Sequence, residues 1–328
     1  MAKKEEILVR LLLVFFMSFI FSLFITRYLI KKERKKHIGQ AIKDDIVPTH
    51  QKKKNTPTMG GIAIFISAWL VSLIIGFPYL KDKNVLALLL VSGSFFLIGF
   101  VDDYLKIKKK NGKGLSALVR ILLEVFISMG VLWYLGYQDQ TLWRIHFLFQ
   151  KTWKLSLLFI PFIIFIIVGG ANSMNMADGL DGLASGLAMN AYFPFVILAI
   201  LKENYGIALF LLAVIGGILG FLCFNFHPAK IFMGDVGSLP LGATLAFASF
   251  ILGAEFLLLI AGGLLIIETL SVILQVISFK LTHRRIFRMA PLHHHFEMQG
   301  FKEWQVVMMF YIAGFVLSIL ATYVGVFL

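Results

Sequence analysis

The sequence predicts an all-α integral membrane protein with about ten transmembrane helices, and three observations lead there. Hydrophobic residues make up 59% of the 328-residue chain and charged residues only 15%, against roughly 45–50% and about 25% in soluble domains. The apolar residues lie in continuous runs of about 20, with no barrel-type alternation, and such runs cross a hydrocarbon core as helices that satisfy their own backbone hydrogen bonds. The basic residues gather between alternate runs, as cytoplasmic loops do. A cytosolic enzyme, a disordered chain and a secreted module are all excluded, because each needs far more polar surface than this composition supplies.

In chain order the runs cover 7–30, 59–80, 84–101, 115–136, 155–176, 183–201, 205–223, 236–253, 255–280 and 304–327, within one polytopic domain spanning 1–328. The first is too long for a cleavable signal. A basic block (Lys31, Lys32, Arg34, Lys35, Lys36) follows it where a small-residue cleavage site would stand. That block places its C-terminal end in the cytoplasm, so ten spans leave both termini periplasmic. Loops 31–54, 102–114, 177–182, 224–235 and 281–303 (with Lys280) then face the cytoplasm and carry 9, 5, 0, 1 and 5 of the 31 Lys and Arg, well over the opposite side.

Seven of the nine aspartates and seven of the eight histidines fall on that same side. Topology asks for Lys and Arg there, but not for Asp or His. A chemical site at the cytoplasmic face does. The single cysteine, Cys223, rules out an intrachain disulfide and a cysteine-based zinc or iron–sulfur centre.

Five motifs stand out. The third run ends Gly99-Phe100-Val101-Asp102-Asp103-Tyr104-Leu105-Lys106. Adjacent carboxylates on a continuing helix point about 100° apart, so they face one cavity but not one atom. A solvated helix end, a cation site, a general base and a substrate-positioning role all fit them. Asn172, Asn175, Asp178 and Asp181 recur at i, i+3, forming a drifting polar stripe on one helix face. Gly179 and Gly182 then let the backbone break or approach a ligand closely. Amide and carboxyl groups of this kind suit a nucleobase edge or ribose.

Asn225 opens a loop that closes Phe232-Met233-Gly234-Asp235. Asp235 reads either as a helix cap or as a hard-oxygen ligand for Mg²⁺, which takes one or two carboxylates plus substrate phosphates. Phe232 can stack on a base. The last inner loop holds Arg284, Arg285 and Arg288 ahead of Pro291-Leu292-His293-His294-His295-Phe296-Glu297. Three consecutive histidines do not converge on one ion, and with the arginines they read as an anion cradle. Before the second helix stands Lys52-Lys53-Lys54-Asn55-Thr56-Pro57-Thr58-Met59-Gly60-Gly61, which is not a P-loop. Glu124, four residues after Arg120, and Glu268 fall mid-helix, where a carboxylate needs a partner.

Taken together and in order, these motifs resemble the phospho-N-acetylmuramoyl-pentapeptide transferases of the polyprenyl-phosphate N-acetylhexosamine-1-phosphate transferase superfamily. The Asp-Asp, Asp-Gly-Leu-Asp-Gly and Gly-Asp elements belong to the superfamily; the triple-His loop and Thr-Pro-Thr-Met-Gly-Gly point to the muramoyl branch. The resemblance implies a Mg²⁺-dependent enzyme of the bacterial inner membrane, commonly a homodimer, acting in peptidoglycan synthesis with no nucleic-acid partner. It implies transfer of phospho-N-acetylmuramoyl-pentapeptide from UDP to undecaprenyl phosphate, giving lipid I and UMP. By position it makes Asp235 the metal ligand, Asp102 and Asp103 the catalytic pair, and His294, between His293 and His295, a group at the phosphates. Asn172, Asn175, Asp178, Gly179, Asp181, Asn225 and Phe232 would line the nucleoside and sugar-phosphate pocket, beside Thr58. Lys53 is the one of three lysines that fits the family's spacing. The rival readings are a UDP-N-acetylglucosamine-using relative and, from another class, a secondary transporter, whose polar groups would lie nearer the midplane.

Overall fold

The computed structural model describes residues 2–36, 56–109, 114–136, 144–146, 152–154 and 156–327. Its helices are α1 (Ala2–Lys36), α2 (Gly61–Ile75), α3 (Lys83–Lys109), α4 (Ala117–Leu135), α5 (Phe159–Ala177), α6 (Leu183–Leu201), α7 (Tyr205–Asn225), α8 (Asp235–Ile251), α9 (Leu257–Ala261), α10 (Gly263–Thr282), α11 (Leu292–Glu297) and α12 (Glu303–Val326). Each of the ten expected runs is helical. Among the described residues, eight helices have the length and apolarity to cross a membrane, and α2 and α8 are shorter apolar helices of 15 and 17 residues.

Three details differ from the sequence expectation. The run 255–280 is divided into α9 and α10 at Gly262, where the adjacent Gly262 and Gly263 carry the lowest helix propensity after proline. The last inner loop contains α11, entered from Pro291, whose fixed φ suits a helix start. Between α4 and α5 stands a small antiparallel hairpin, β1 (Arg144–His146) with β2 (Thr152–Lys154), in register Ile145↔Trp153. Among the described residues it is the sole departure from an all-helical fold.

α8 occupies the centre, with every residue from Asp235 to Phe250 buried. Its sequence is apolar or small all round, the pattern of a helix enclosed on every side. α3 and α5 flank it, while α7 lies against α1, α2 and α6, and α6 against α12. Small residues set these spacings: a Cβ on Gly242 of α8 would meet the backbone of Gly170 in α5, so the two helices touch main chain to main chain. Hydroxyls tie other pairs, with Ser18 Oγ donating to Ala213 O at 2.6 Å, Ser22 Oγ to Gly217 O at 2.7 Å and Tyr192 Oη to Leu241 O at 2.7 Å. α4 and α10 are the outer helices. They bury only four and three residues and turn Phe126, Trp133 and Leu270 outward, a surface for lipid.

Candidate active site

The chain enters α8 through Gly234, whose φ of +75° places it in the left-handed region that glycine adopts without strain. Gly234 is therefore the N-cap, and Asp235 is the first helical residue rather than the cap. α3 continues past the aspartate pair to Lys109, which puts Lys106 at i+4 from Asp102 and i+3 from Asp103, on their face. Its ammonium lies 2.6 Å from Asp102 Oδ2, 3.4 Å from Asp103 Oδ1 and 3.0 Å from Asp235 Oδ2. The expectation that the two aspartates cannot address one atom is corrected here: the flexible lysine between them bridges the angular gap. Asp103 Oδ2 also accepts from the Val236 N–H at 3.0 Å, docking a carboxylate at the positive end of α8. Asp102 Oδ1 accepts from Leu115 N at 2.6 Å.

A second cation closes the cluster from α4. Arg120 Nη1 reaches Asp235 Oδ2 at 3.2 Å and Arg120 Nη2 donates to Asn172 Oδ1 at 3.2 Å. Asn175 Nδ2 donates to Asp235 Oδ1 at 2.8 Å and to Ser238 Oγ at 2.9 Å. Asp235 thus receives groups from α3, α4 and α5.

The polar stripe 172–181 does not stay on one face, a second correction. α5 ends at Ala177, and the turn that follows sends the two aspartates apart. Asp178 stays with the cluster. Loss of solvent, reinforced by the charges of Asp235 and Asp103, pushes its carboxyl well above the usual carboxylate range. Asp181 joins a separate group: its Oδ2 accepts from Ala229 N at 3.0 Å and lies 3.1 Å from His227 Nδ1, and its N–H donates to Glu303 Oε1 at 2.8 Å. Gly182, at φ +80°, ends the turn, and its carbonyl accepts from Tyr311 Oη at 2.7 Å. Asn225 faces inward, accepting from Ser185 Oγ at 2.9 Å and donating to Ile231 O at 2.9 Å; its amide holds the 226–231 loop.

The three histidines take different partners, although the rings of His293 and His294 lie 4.2 Å apart. His293 is buried. Its N–H donates to Glu268 Oε1 at 3.1 Å and its Nδ1 lies 3.2 Å from Glu268 Oε2, which gives the mid-helix Glu268 the partner it needs. Burial pushes the His293 ring below the usual histidine range, against the opposing pull of Glu268. Its Nε2 edge packs directly on Gly179, where any Cβ would collide with it. His294 Nδ1 lies 2.7 Å from Glu297 Oε2. His295 is turned back into its own loop, with Nδ1 accepting from Arg288 N at 3.1 Å and Nε2 2.8 Å from Gln299.

The Thr56–Gly61 segment pairs through its backbone with the strand-like stretch ahead of Asp235. Phe232 N donates to Pro57 O at 2.8 Å, Gly60 N to Phe232 O at 2.8 Å and Gly61 N to Met233 O at 2.9 Å. Phe232 is half-buried there. Thr58 is buried and its N–H donates to Glu33 Oε2 at 2.9 Å. Lys53, with Lys52 and Lys54, lies outside the described residues.

Sequence comparisons show the family. The model of glycosyl transferase family 4 matches residues 85–253, and phospho-N-acetylmuramoyl-pentapeptide-transferase signature 1 matches residues 53–65. Proteins named phospho-N-acetylmuramoyl-pentapeptide-transferase from Bacillus thuringiensis (strain Al Hakam) and Bacillus cereus (strains AH187 and G9842) are each 43% identical over 315 residues, covering 95% of this chain and 96% of theirs. The chain belongs to this transferase family.

In this member of the phospho-N-acetylmuramoyl-pentapeptide transferases, Asp102, Asp103 and Asp235 each present an oxygen within 4.8 Å of the others. Three hard-oxygen donors suit Mg²⁺, and in formal charge they outweigh Lys106 and Arg120 by one negative unit. A second set of three donors, Asp181, His227 and Glu303, meets the same distance. Sequence reasoning left Lys106, Arg120, Glu124, Glu268, His227 and Glu303 without roles. Lys106 was within reach of the i+3 and i+4 rule, and Arg120 and Glu124 are spaced i, i+4; the remaining contacts of Arg120 and Glu124, and those of Glu268, His227 and Glu303, are tertiary and far apart in sequence.

Proposed function

We propose that this transferase moves phospho-N-acetylmuramoyl-pentapeptide from UDP to undecaprenyl phosphate, yielding lipid I and UMP, with Mg²⁺, at the cytoplasmic face of the bacterial inner membrane. The observation that carries the reading is the convergence of Asp102, Asp103 and Asp235 with Lys106 and Arg120 at the start of α8. Both reactants are anions, so charge neutralisation is the largest part of such a catalysis. Asp235, with Asp102 and Asp103, would hold Mg²⁺, which supplies neutralisation of the diphosphate.

Lys106 and Arg120 supply fixed positive charge beside those carboxylates. The acceptor phosphate needs little base assistance, since a phosphate monoester has its second pKa near 6. Its oxygen attacks the β-phosphorus in line; the bond from β-phosphorus to the bridging oxygen breaks, and UMP leaves with the electron pair. Asp102 or Asp103 positions the acceptor. His294 meets the phosphates with His293 beside it, and Arg284, Arg285 and Arg288 extend the positive field. Asn172, Asn175, Asp178, Gly179, Asp181 and Phe232 contact the nucleoside and sugar, with Thr58 and Lys53 at the edge. Asn225 and His295 act by holding their loops. We extend the reading to a single domain over the whole chain, periplasmic termini and a homodimer.

The test is UMP release by detergent-purified protein given undecaprenyl phosphate and either UDP-N-acetylmuramoyl-pentapeptide or UDP-N-acetylglucosamine. Release with the muramoyl donor alone supports the reading. Release only with the other donor moves the protein to another branch. A phospho-sugar–aspartyl enzyme trapped without acceptor would overturn the one-step mechanism.

A further inference from the structure

Glu124 is the anomaly of α4. The helix turns most of its side chains outward and buries four, of which Glu124 is one, with no exposed surface. A carboxylate at that depth is costly unless something uses its charge. Its Oε2 accepts from Asn172 Nδ2 at 2.6 Å, and the same amide nitrogen donates to Val168 O at 2.9 Å. Both amide hydrogens of Asn172 are thereby committed, so its Oδ1 must face Arg120. The other carboxylate oxygen, Oε1, lies 3.8 Å from Arg120 Nε. Both of these atoms are buried and, among the described residues, without a hydrogen-bond partner.

The Arg120 guanidinium is therefore shared among three acceptors and closes tightly on none. Its contacts to Asp235 and Asn172 are both 3.2 Å, longer than the roughly 2.7–2.9 Å of a full charge-assisted hydrogen bond. We propose that Glu124 is a positioning residue for the cation site: it restrains Arg120, directly and through Asn172, so that Asp235 stays available to a divalent cation. Without the Glu124 charge, Arg120 closes on Asp235 and competes with the ion. The inference rests on the assignment of Asp235 as metal ligand.

The experiment is Mg²⁺ binding to purified protein by calorimetry, with Mn²⁺ binding by electron paramagnetic resonance as a second probe, and no substrate present. Glu124→Gln keeps the size and an acceptor for Asn172 but removes the charge. It is expected to weaken Mg²⁺ binding about tenfold, the scale of one lost charged contact, with the melting temperature in EDTA little changed. Unchanged or tighter binding overturns the proposal. Arg120→Gln and the double variant Arg120→Gln/Glu124→Gln complete the cycle; the double variant carries no unpaired buried charge and stands in if Glu124→Gln alone does not fold. Because Glu124 acts through Arg120, those two variants are expected to bind Mg²⁺ equally. A further loss in the double variant overturns the proposal. Absence of Mg²⁺ and Mn²⁺ binding by the unaltered protein refutes the metal assignment itself, a failure distinct from an unaltered protein that binds and a Glu124→Gln variant that binds as well.

Discussion

Lys106 Nζ lies 3.0 Å from Asp235 Oδ2, joining two residues 129 positions apart. The same ammonium touches Asp102 and Asp103, so one side chain gathers Asp102, Asp103 and Asp235. Its charge is what allows three buried aspartates to stand together. Lys106→Gln is expected to reduce UMP release by at least about 100-fold, the scale of a lost electrostatic stabiliser. It is also expected to lower the melting temperature in EDTA, with part of that loss recovered in Mg²⁺. A variant equal to the parent in both measurements would contradict this role.

Gly179 is where the Asp-Gly-Leu-Asp-Gly turn meets the triple-His loop. A Cβ there would fall on the His293 ring, and that ring is held from behind by Glu268. Gly179→Ala is expected to push the two loops apart, raising KM for the UDP donor by about tenfold while leaving the helices folded. Steady-state kinetics with circular dichroism on the same sample checks both parts.

Glu268 explains how the His loop is anchored in the helical bundle. Glu268→Ala leaves the buried His293 N–H without its acceptor, at a cost of about 1–3 kcal/mol. A lower melting temperature and roughly tenfold slower turnover are expected. Glu268→Gln, which keeps an acceptor for that N–H, is expected to recover most of the stability.

Asp178 gives the pH dependence a definite sign. Its folded carboxyl titrates well above the ordinary value, so the folded state binds the proton more tightly than the unfolded chain. Ionisation therefore opposes folding: stability is lost as pH rises from the unfolded value, near 4, towards the folded one. Asp178→Asn is expected to melt at a higher temperature than the parent at pH 8, with the advantage shrinking as pH falls. Thermal melts from pH 5 to pH 8 decide it, and an advantage that grows on acidification would contradict the assignment.

The helices were legible because lipid leaves the chain few alternatives. Continuous apolar runs gave all ten regions, while the break at Gly262 and the short α11 turn on local propensity inside regions of uniform hydropathy. Within the site, Asp102, Asp103, Asn172, Asn175, Asp178 and Asp235 were recognisable as polar groups out of place, and they do assemble around α8. Asp181 was misplaced because a helical period cannot report where a helix stops. Arg120 and Glu124 showed only their i, i+4 spacing. Their use depends on Asn172 and Asp235, which arrive from 48 and 115 residues away, and no local pattern encodes that meeting.

On the proposed reading, Asp235 anchors a cation on which transfer depends. The most direct measurement is UMP release from UDP-N-acetylmuramoyl-pentapeptide and undecaprenyl phosphate, by the parent and by Asp235→Asn, in Mg²⁺ and in EDTA. Release by the parent in Mg²⁺ is expected, with loss in EDTA and recovery on adding Mg²⁺ back, and no release by folded Asp235→Asn at any Mg²⁺ concentration. Sustained release in EDTA, or by Asp235→Asn in Mg²⁺, would contradict it.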